Sequence, residues 1–170
     1  LTIIKKKIKK FEKKITVSGD KSISIRWILF SSLASGVSKA KNLLMSEDVL
    51  ATLDAIKKLG IKVSVKKKEC VIFGKGIEGY KYKKGIKIDA KNSGTLGRLI
   101  LGLLINTEYK ITLIGDKSLS KRDFSRVIVP LKKFGASFKS SYEKLPLVMK
   151  GLENPHSINY TENKGSAQCK

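Results

Sequence analysis

The chain has 170 residues, is 41% hydrophobic, and carries 36 Lys and Arg against 14 Asp and Glu, a net charge of +22. That length buries a real core in one domain or one and a half, and no apolar run reaches the ~20 residues that span a bilayer. Two cysteines, Cys70 and Cys169, and the single His156 argue against a disulfide framework or a metal cluster, and leave reduced thiols and a surface-loop imidazole.

Strand patterns around Ile3-Ile4 and Ile15-Thr16-Val17 open the chain. The basic stretch from Lys5 to Lys10 has no apolar segment of the kind a secretory signal needs, so a cytoplasmic location is expected. Gly19-Asp20-Lys21-Ser22-Ile23-Ser24-Ile25-Arg26 then leads into Trp27-Ile28-Leu29-Phe30. A strand, a tight Gly turn and a helix start make an anion site, because free N–H groups and the positive end of the helix dipole point at whatever sits there. Lys21 adds a mobile cation, Ser22 a hydroxyl donor, and Arg26 a second clamp one turn further along.

The first helix is predicted from about Ser24 to Leu33, followed by a strand from Ala40 to Leu44. Ser46 is the expected N-cap of a second helix, with Glu47 and Asp48 in its first turn. Val49, Leu50, Leu53, Ile56 and Leu59 form its apolar stripe, and Gly60 its stop. Ile61 to Val65 and Cys70 to Phe73 read as a hairpin. Gly76 to Tyr80 is a loop, without the turn-to-helix link of a phosphate fingerprint.

The plan then repeats. With Arg26 set on Arg98, Ser22–Leu29 lies over Gly94–Leu101; further on, Leu53–Gly60 lies over Ile128–Gly135, and Cys70–Gly74 over Leu147–Gly151. Each copy reads strand, helix, strand, helix, hairpin, with Pro130 expected to bend the last helix. A third copy begins with the strand-like Ser157-Ile158-Asn159-Tyr160 and the turn Gly165-Ser166-Ala167-Gln168. Repeats of this length signal supersecondary units that share a core, and they bring equivalent helix starts to one end of the molecule.

Charge alone invites a nucleic-acid partner. However, 32 of the 36 basic residues are Lys, spread over every segment, and aromatic side chains do not interleave them. Base readout favours Arg and single-strand binding favours stacking rings, so no nucleic-acid partner is expected and a basic binding module remains only an alternative. The four Arg, at 26, 98, 122 and 126, all lie at turns or helix starts, where a planar guanidinium recognises anions as Lys does not. Pairing with carboxylates such as Asp48 or Asp123 is the competing explanation for Arg98 and Arg126.

The motifs as they stand resemble those of the 5-enolpyruvylshikimate-3-phosphate (EPSP) synthase family. Gly19-Asp20-Lys21-Ser22-Ile23-Ser24-x-Arg26 resembles its first signature, and Asn92-Ser93-Gly94-Thr95-x-x-Arg98 its second. Gly115-Asp116-Lys117-Ser118-Leu119-x-Lys121-Arg122 and Ser166-Ala167-Gln168-x-Lys170 resemble two more. The related UDP-N-acetylglucosamine enolpyruvyl transferases are the second reading, because their Ala-Lys-Asn-type turn differs from Asp20-Lys21-Ser22.

The resemblance implies an inside-out α/β fold of βαβαββ units. Residues 1–18 would be the first strands of another domain, and 19–170 a substrate-binding domain with units at about 19–85 and 86–155 and the start of a third at 156–170. It implies transfer of the enolpyruvyl group of phosphoenolpyruvate to the 5-hydroxyl of shikimate 3-phosphate, with no cofactor, no metal and no membrane partner, in a monomer. Shikimate 3-phosphate would be bound by Lys21, Ser22, Arg26, Ser166, Ala167 and Gln168. Phosphoenolpyruvate would be bound by Lys21, Gly94, Arg122 and Gln168, with Lys21 the catalytic residue. Family members are more than twice this long, so the chain is expected to be an N-terminal part whose acid–base residues lie elsewhere, inactive by itself. Three residues depart from the motifs: Ser18, Ile25 and Asp123. The last is expected to put a carboxylate beside Arg122.

Overall fold

The computed structural model describes Ile3, Lys10, Glu12, residues 14–66, 69–107 and 109–162, and Gly165. The first unit runs α1 (Lys21–Leu33), β1 (Ser35–Lys41), α2 (Glu47–Lys58), β2 (Lys62–Lys66) and β3 (Glu69–Lys75). The second runs β4 (Lys87–Asp89), α3 (Gly94–Leu103), β5 (Ile111–Ile114), a 3-10 turn (Leu119–Lys121), α4 (Ser125–Lys133), β6 (Ser137–Ser140) and β7 (Leu147–Lys150).

The first sheet has the order β1-β3-β2 with antiparallel neighbours; Val37 faces Phe73 and Val63 faces Ile72. The second has the order β4-β5-β7-β6. Its β5-β7-β6 part is antiparallel like the first sheet, with Ile111 opposite Met149 and Phe138 opposite the same residue. β4 joins parallel to β5 through α3, a crossover connection.

Four of the five residues of the stripe read from the sequence pack as expected, Val49, Leu53, Ile56 and Leu59 of the α2 region being buried, whereas Leu50 is 46% exposed. The four join Ile25, Ile28 and Leu29 of α1, Leu96 and Ile100 of α3, Ile128 of α4, and Ile72, Ile111, Leu113, Leu147 and Met149 of the sheets in one continuous core across both units. Gly60 stops α2 at φ +85°, a backbone position where a Cβ is strained. Cys70 is buried in this core, and burial pushes its thiol up against the opposing charge of Lys57.

α1 is unusual. It buries Ser24, Ser31 and Ser32 alongside Ile25, Ile28 and Leu29, yet leaves Ile23 69% and Phe30 66% exposed. Two of the buried serines have hydrogen-bond partners close by in the chain. Ser24 Oγ donates to Asp20 O and Ser32 Oγ donates to Leu29 O, both at 2.6 Å, while Ser32 Oγ also shares a 2.7 Å bond with Tyr80 Oη.

Several expectations are corrected. α1 starts at Lys21 rather than Ser24, because Asp20 caps it. β1 covers 35–41 rather than 40–44; its pairing with β3, not its own weak alternation, defines it. Residues 14–20 form no strand, and neither do residues 157–160. Ile4, Ser166, Ala167, Gln168 and Cys169 lie outside the described residues. Ser46 does occupy the N-cap of α2, but its hydroxyl makes no cap bond and is buried with no partner. His156 is exposed in a loop, as expected, and its N–H donates to Phe134 O at 2.9 Å.

Candidate functional site

Local chemistry builds the two helix starts that face one another. At α1, Asp20 Oδ1 accepts from the Ile23 N–H at 2.7 Å. The Ser24 hydroxyl accepts from the Leu44 N–H at 3.1 Å and ties the helix to the segment after β1. At α3, the buried Ser93 hydroxyl accepts from the Leu96 N–H at 3.2 Å. The Asp20 and Ser93 bonds each satisfy an N–H group that a helix start leaves orphaned.

Between these starts lies a cleft of about 230 Å³ lined by Lys21, Asp48, Asn92, Gly94, Thr95, Arg98 and Arg122. Lys21 Nζ stands 2.9 Å from Asp48 Oδ2, with the Lys side chain half exposed and the Asp side chain 15% exposed. Arg122 donates from NH2 to Asn92 Oδ1 at 3.1 Å. Arg98 donates to Gly94 O at 3.2 Å and Asp123 O at 2.9 Å, and its guanidinium carbon lies 4.9 Å over the Phe124 ring.

Gly94 explains how the cations fit. A Cβ there would stand 2.7 Å from one Arg98 nitrogen and 3.1 Å from one Arg122 nitrogen. Two guanidinium groups therefore close over the first residue of α3, where the helix N–H groups are also free. Such a cleft is built for a small polyanion: fixed donors, a mobile ammonium and a positive dipole end converge, and Asp48 balances part of the charge.

Two carboxylates beside the cleft have displaced proton affinities. Asp123, expected beside Arg122, instead accepts from Ser125 Oγ at 2.6 Å and from the Ser125 N–H at 2.7 Å, at the start of α4. The Ser125 hydroxyl, then its N–H, hold the Asp123 carboxyl below the usual range; partial desolvation opposes them, and the charges of Arg98 and Arg126 add to them. For Asp89, burial pushes the carboxyl up. The Lys91 N–H and ammonium, with the charge of Lys58, outweigh it and leave the carboxyl lowered. Those contacts pin the Lys91 turn, at φ +49°, that precedes Asn92.

Of the residues expected at the site, Lys21, Gly94 and Arg122 come together in the cleft. Ser22 and Arg26 lie along α1 and are not among its lining residues; Arg26 NH1 reaches back to Ser22 O at 3.4 Å. Ser166, Ala167 and Gln168 lie outside the described residues. Sequence reasoning gives Asn92 and Thr95 a place in a motif but no role, and Arg98 only a general one in anion recognition. It misses the Lys21–Asp48 pair altogether, since a carboxylate in a first helical turn signals only a dipole contact. Among the described residues, no group of three or more His, Cys, Asp or Glu is placed to hold a metal ion. No described helix is long and apolar enough to cross a membrane.

Comparison with known proteins identifies the family. Residues 5–170 match the family model described as EPSP synthase (3-phosphoshikimate 1-carboxyvinyltransferase). The chain belongs to the EPSP synthase family. Among relatives named 3-phosphoshikimate 1-carboxyvinyltransferase, that of Ruthia magnifica subsp. Calyptogena magnifica is 44% identical over 156 residues, 92% of this chain and 36% of its own length. That of Streptococcus suis is 39% identical over 169 residues, 98% of this chain and 39% of its own length. In solved structures, an EPSP synthase from Acinetobacter baumannii superposes with a TM-score of 0.86 at 35% identity, covering 93% of this chain and 36% of that one. The α/β fold is therefore that of EPSP synthases, and the chain spans somewhat over a third of the length of the relatives it matches.

Proposed function

We propose that this chain supplies the phosphate-clamping part of a 3-phosphoshikimate 1-carboxyvinyltransferase, with residues 19–155 forming two related units of one substrate-binding domain, the first without an opening strand among the described residues. The observation that carries this reading is the convergence of Lys21, Arg122 and the side-chain-free Gly94 on one cleft. In the reaction, C3 of phosphoenolpyruvate takes a proton from a general acid, and the 5-hydroxyl of shikimate 3-phosphate gives its proton to a general base as its oxygen bonds to C2. The resulting tetrahedral adduct then loses phosphate from C2 and a proton from C3, which restores the enol ether double bond.

Lys21, the proposed catalytic residue, lies between the two anions and holds charge that moves onto the departing phosphate. Ser22 and Arg26 extend the grip along α1 to shikimate 3-phosphate, while Gly94 and Arg122 receive phosphoenolpyruvate. Ser166, Ala167 and Gln168 would complete the set. Holding two polyanions in contact is the larger part of such catalysis. The substrates are small soluble anions, and we place the protein in the cytoplasm, as a monomer, with neither nucleic acid nor membrane as partner. The general acid and base are assigned to no residue of this chain.

Titration of residues 1–170 with shikimate 3-phosphate by calorimetry tests the reading. Binding that weakens as salt rises, with no phosphate release on adding phosphoenolpyruvate, is the expected result. Salt-independent binding, or none at millimolar ligand, would remove the cleft from the reaction. Robust phosphate release would mean that acid–base groups within these residues had been overlooked.

A further inference from the structure

Resting on the proposed function, we infer that Asp116 is a positioning residue: through the Asn92 amide it aims the Arg122 guanidinium into the cleft.

The connection is continuous. Asp116 Oδ2 accepts from Asn92 Nδ2 at 2.8 Å, and Asn92 Oδ1 accepts from Arg122 at 3.1 Å. Asp116 is itself pinned. Its Oδ1 accepts from the Leu119 N–H at 2.7 Å, and its N–H donates to Lys91 O at 2.9 Å. One carboxylate thus binds the turn before α3 to the 3-10 turn that carries Arg122.

The donor and acceptor order decides the outcome. A side-chain amide offers oxygen on one side and NH₂ on the other, and both faces are otherwise equivalent. A carboxylate only accepts, so Asp116 compels Asn92 to turn its NH₂ toward Asp116 and its oxygen toward Arg122. Without that constraint the amide can turn over and point NH₂ at the guanidinium, two donors facing each other. The residue type at position 116 therefore fixes the polarity of a contact it does not itself make.

The first copy indicates why Asn92 is available. In the alignment that sets Arg26 on Arg98, Asn92 corresponds to Asp20, whose side chain is spent capping α1. In the second copy Ser93 takes over the cap, and the side chain one residue earlier turns to Arg122 instead.

The test compares Asp116→Asn with the double variant Asp116→Asn, Asn92→Asp. The single variant keeps an oxygen for the Leu119 N–H but sets an amide donor against the Asn92 donor. The double variant reverses donor and acceptor and again presents an oxygen to Arg122. Two NMR readouts serve in the 170-residue chain: the Arg122 side-chain N–H signals without ligand, and their titration with phosphoenolpyruvate, which reads affinities into the millimolar range. In the single variant the Arg122 signals should broaden and shift, and phosphoenolpyruvate affinity should fall about tenfold, the effect of losing a hydrogen bond to a charged group. The double variant should recover most of both. A merely structural role of Asp116 at Leu119 predicts no recovery, and that result overturns the inference, as does a single variant with unchanged Arg122 signals. If the parent chain binds no phosphoenolpyruvate, the functional reading fails, and the ligand-free signals still decide the positioning role.

Discussion

At the start of α1 the capping side chain is Asp20, and Lys21 after it is free to reach across to Asp48. At the start of α3 the cap comes one residue later in the repeat alignment, from Ser93, and the residue before it reaches across to Arg122. Both Arg26 and Arg98 bend back to the carbonyl four residues earlier, so the helices themselves correspond. A one-residue change in which side chain caps the helix thus divides the work. The first copy contributes a movable ammonium; the second contributes open space at Gly94 and a pair of held guanidinium groups. A duplicated backbone repeats the helix dipole and the free N–H groups, but the side chains at the cap decide what each copy offers a ligand.

The comparison can be broken most forcefully at Phe124. This fully buried ring lies under the Arg98 guanidinium and 3.4 Å from where a Gly97 Cβ would stand. Phe124→Ala should lower unfolding free energy by about 3–5 kcal/mol in denaturant titration. A loss below about 1 kcal/mol would show that the ring is not what seats the second copy's cations. Next in size is Lys21→Ala, which removes the first copy's contribution and should weaken shikimate 3-phosphate binding by roughly 1.5–3 kcal/mol in calorimetry. Unchanged affinity would exclude Lys21 from the site.

The caps themselves separate by a smaller margin. Ser93→Ala leaves a buried N–H without its partner and should cost about 1–2 kcal/mol, whereas Asp20→Ala, where water reaches the N–H, should cost about 0.5–1 kcal/mol. Equal losses in thermal unfolding would erase the distinction between the copies.

The smallest effect concerns pH. The folded Asp123 carboxyl is held below its unfolded value, chiefly by Ser125, so its contribution to stability is present above the ordinary carboxylate range. It is lost as pH falls through the lowered folded value. Ser125→Ala should lower the melting temperature slightly at neutral pH and leave the acid end nearly unchanged, which flattens the limb between them; an equal loss at both ends would exclude the carboxyl as its cause.

Much of this was legible in the chain. The Val49-to-Leu59 stripe, the Gly60 stop and the alignment of Arg26 with Arg98 rest on local periodicity and turn chemistry, which a sequence displays directly. β1 begins five residues before the strand that the sequence pattern predicts, because Ser35-Gly36-Val37-Ser38-Lys39-Ala40-Lys41 has little strand pattern of its own and is held by β3. Ile15-Thr16-Val17 has the β-branched residues of a strand but no neighbour to pair with among the described residues. At the cleft, Lys21, Gly94 and Arg122 were found from their motifs. The Lys21–Asp48 and Asn92–Asp116 contacts join residues 27 and 24 positions apart, and only the folded chain brings them together.

The exposed edge of α1 gives the chain a particular colloidal character. Ile23 and Phe30, seven residues apart with the half-buried Trp27 between them, form an oily ridge on a molecule of charge +22. In dilute buffer, like-charge repulsion between molecules outweighs attraction between ridges and keeps them apart. Near physiological ionic strength the screening length shrinks to about 8 Å and that protection weakens. Added salt should therefore drive self-association of the 170-residue chain, visible as a rising sedimentation coefficient, and Phe30→Glu should suppress it.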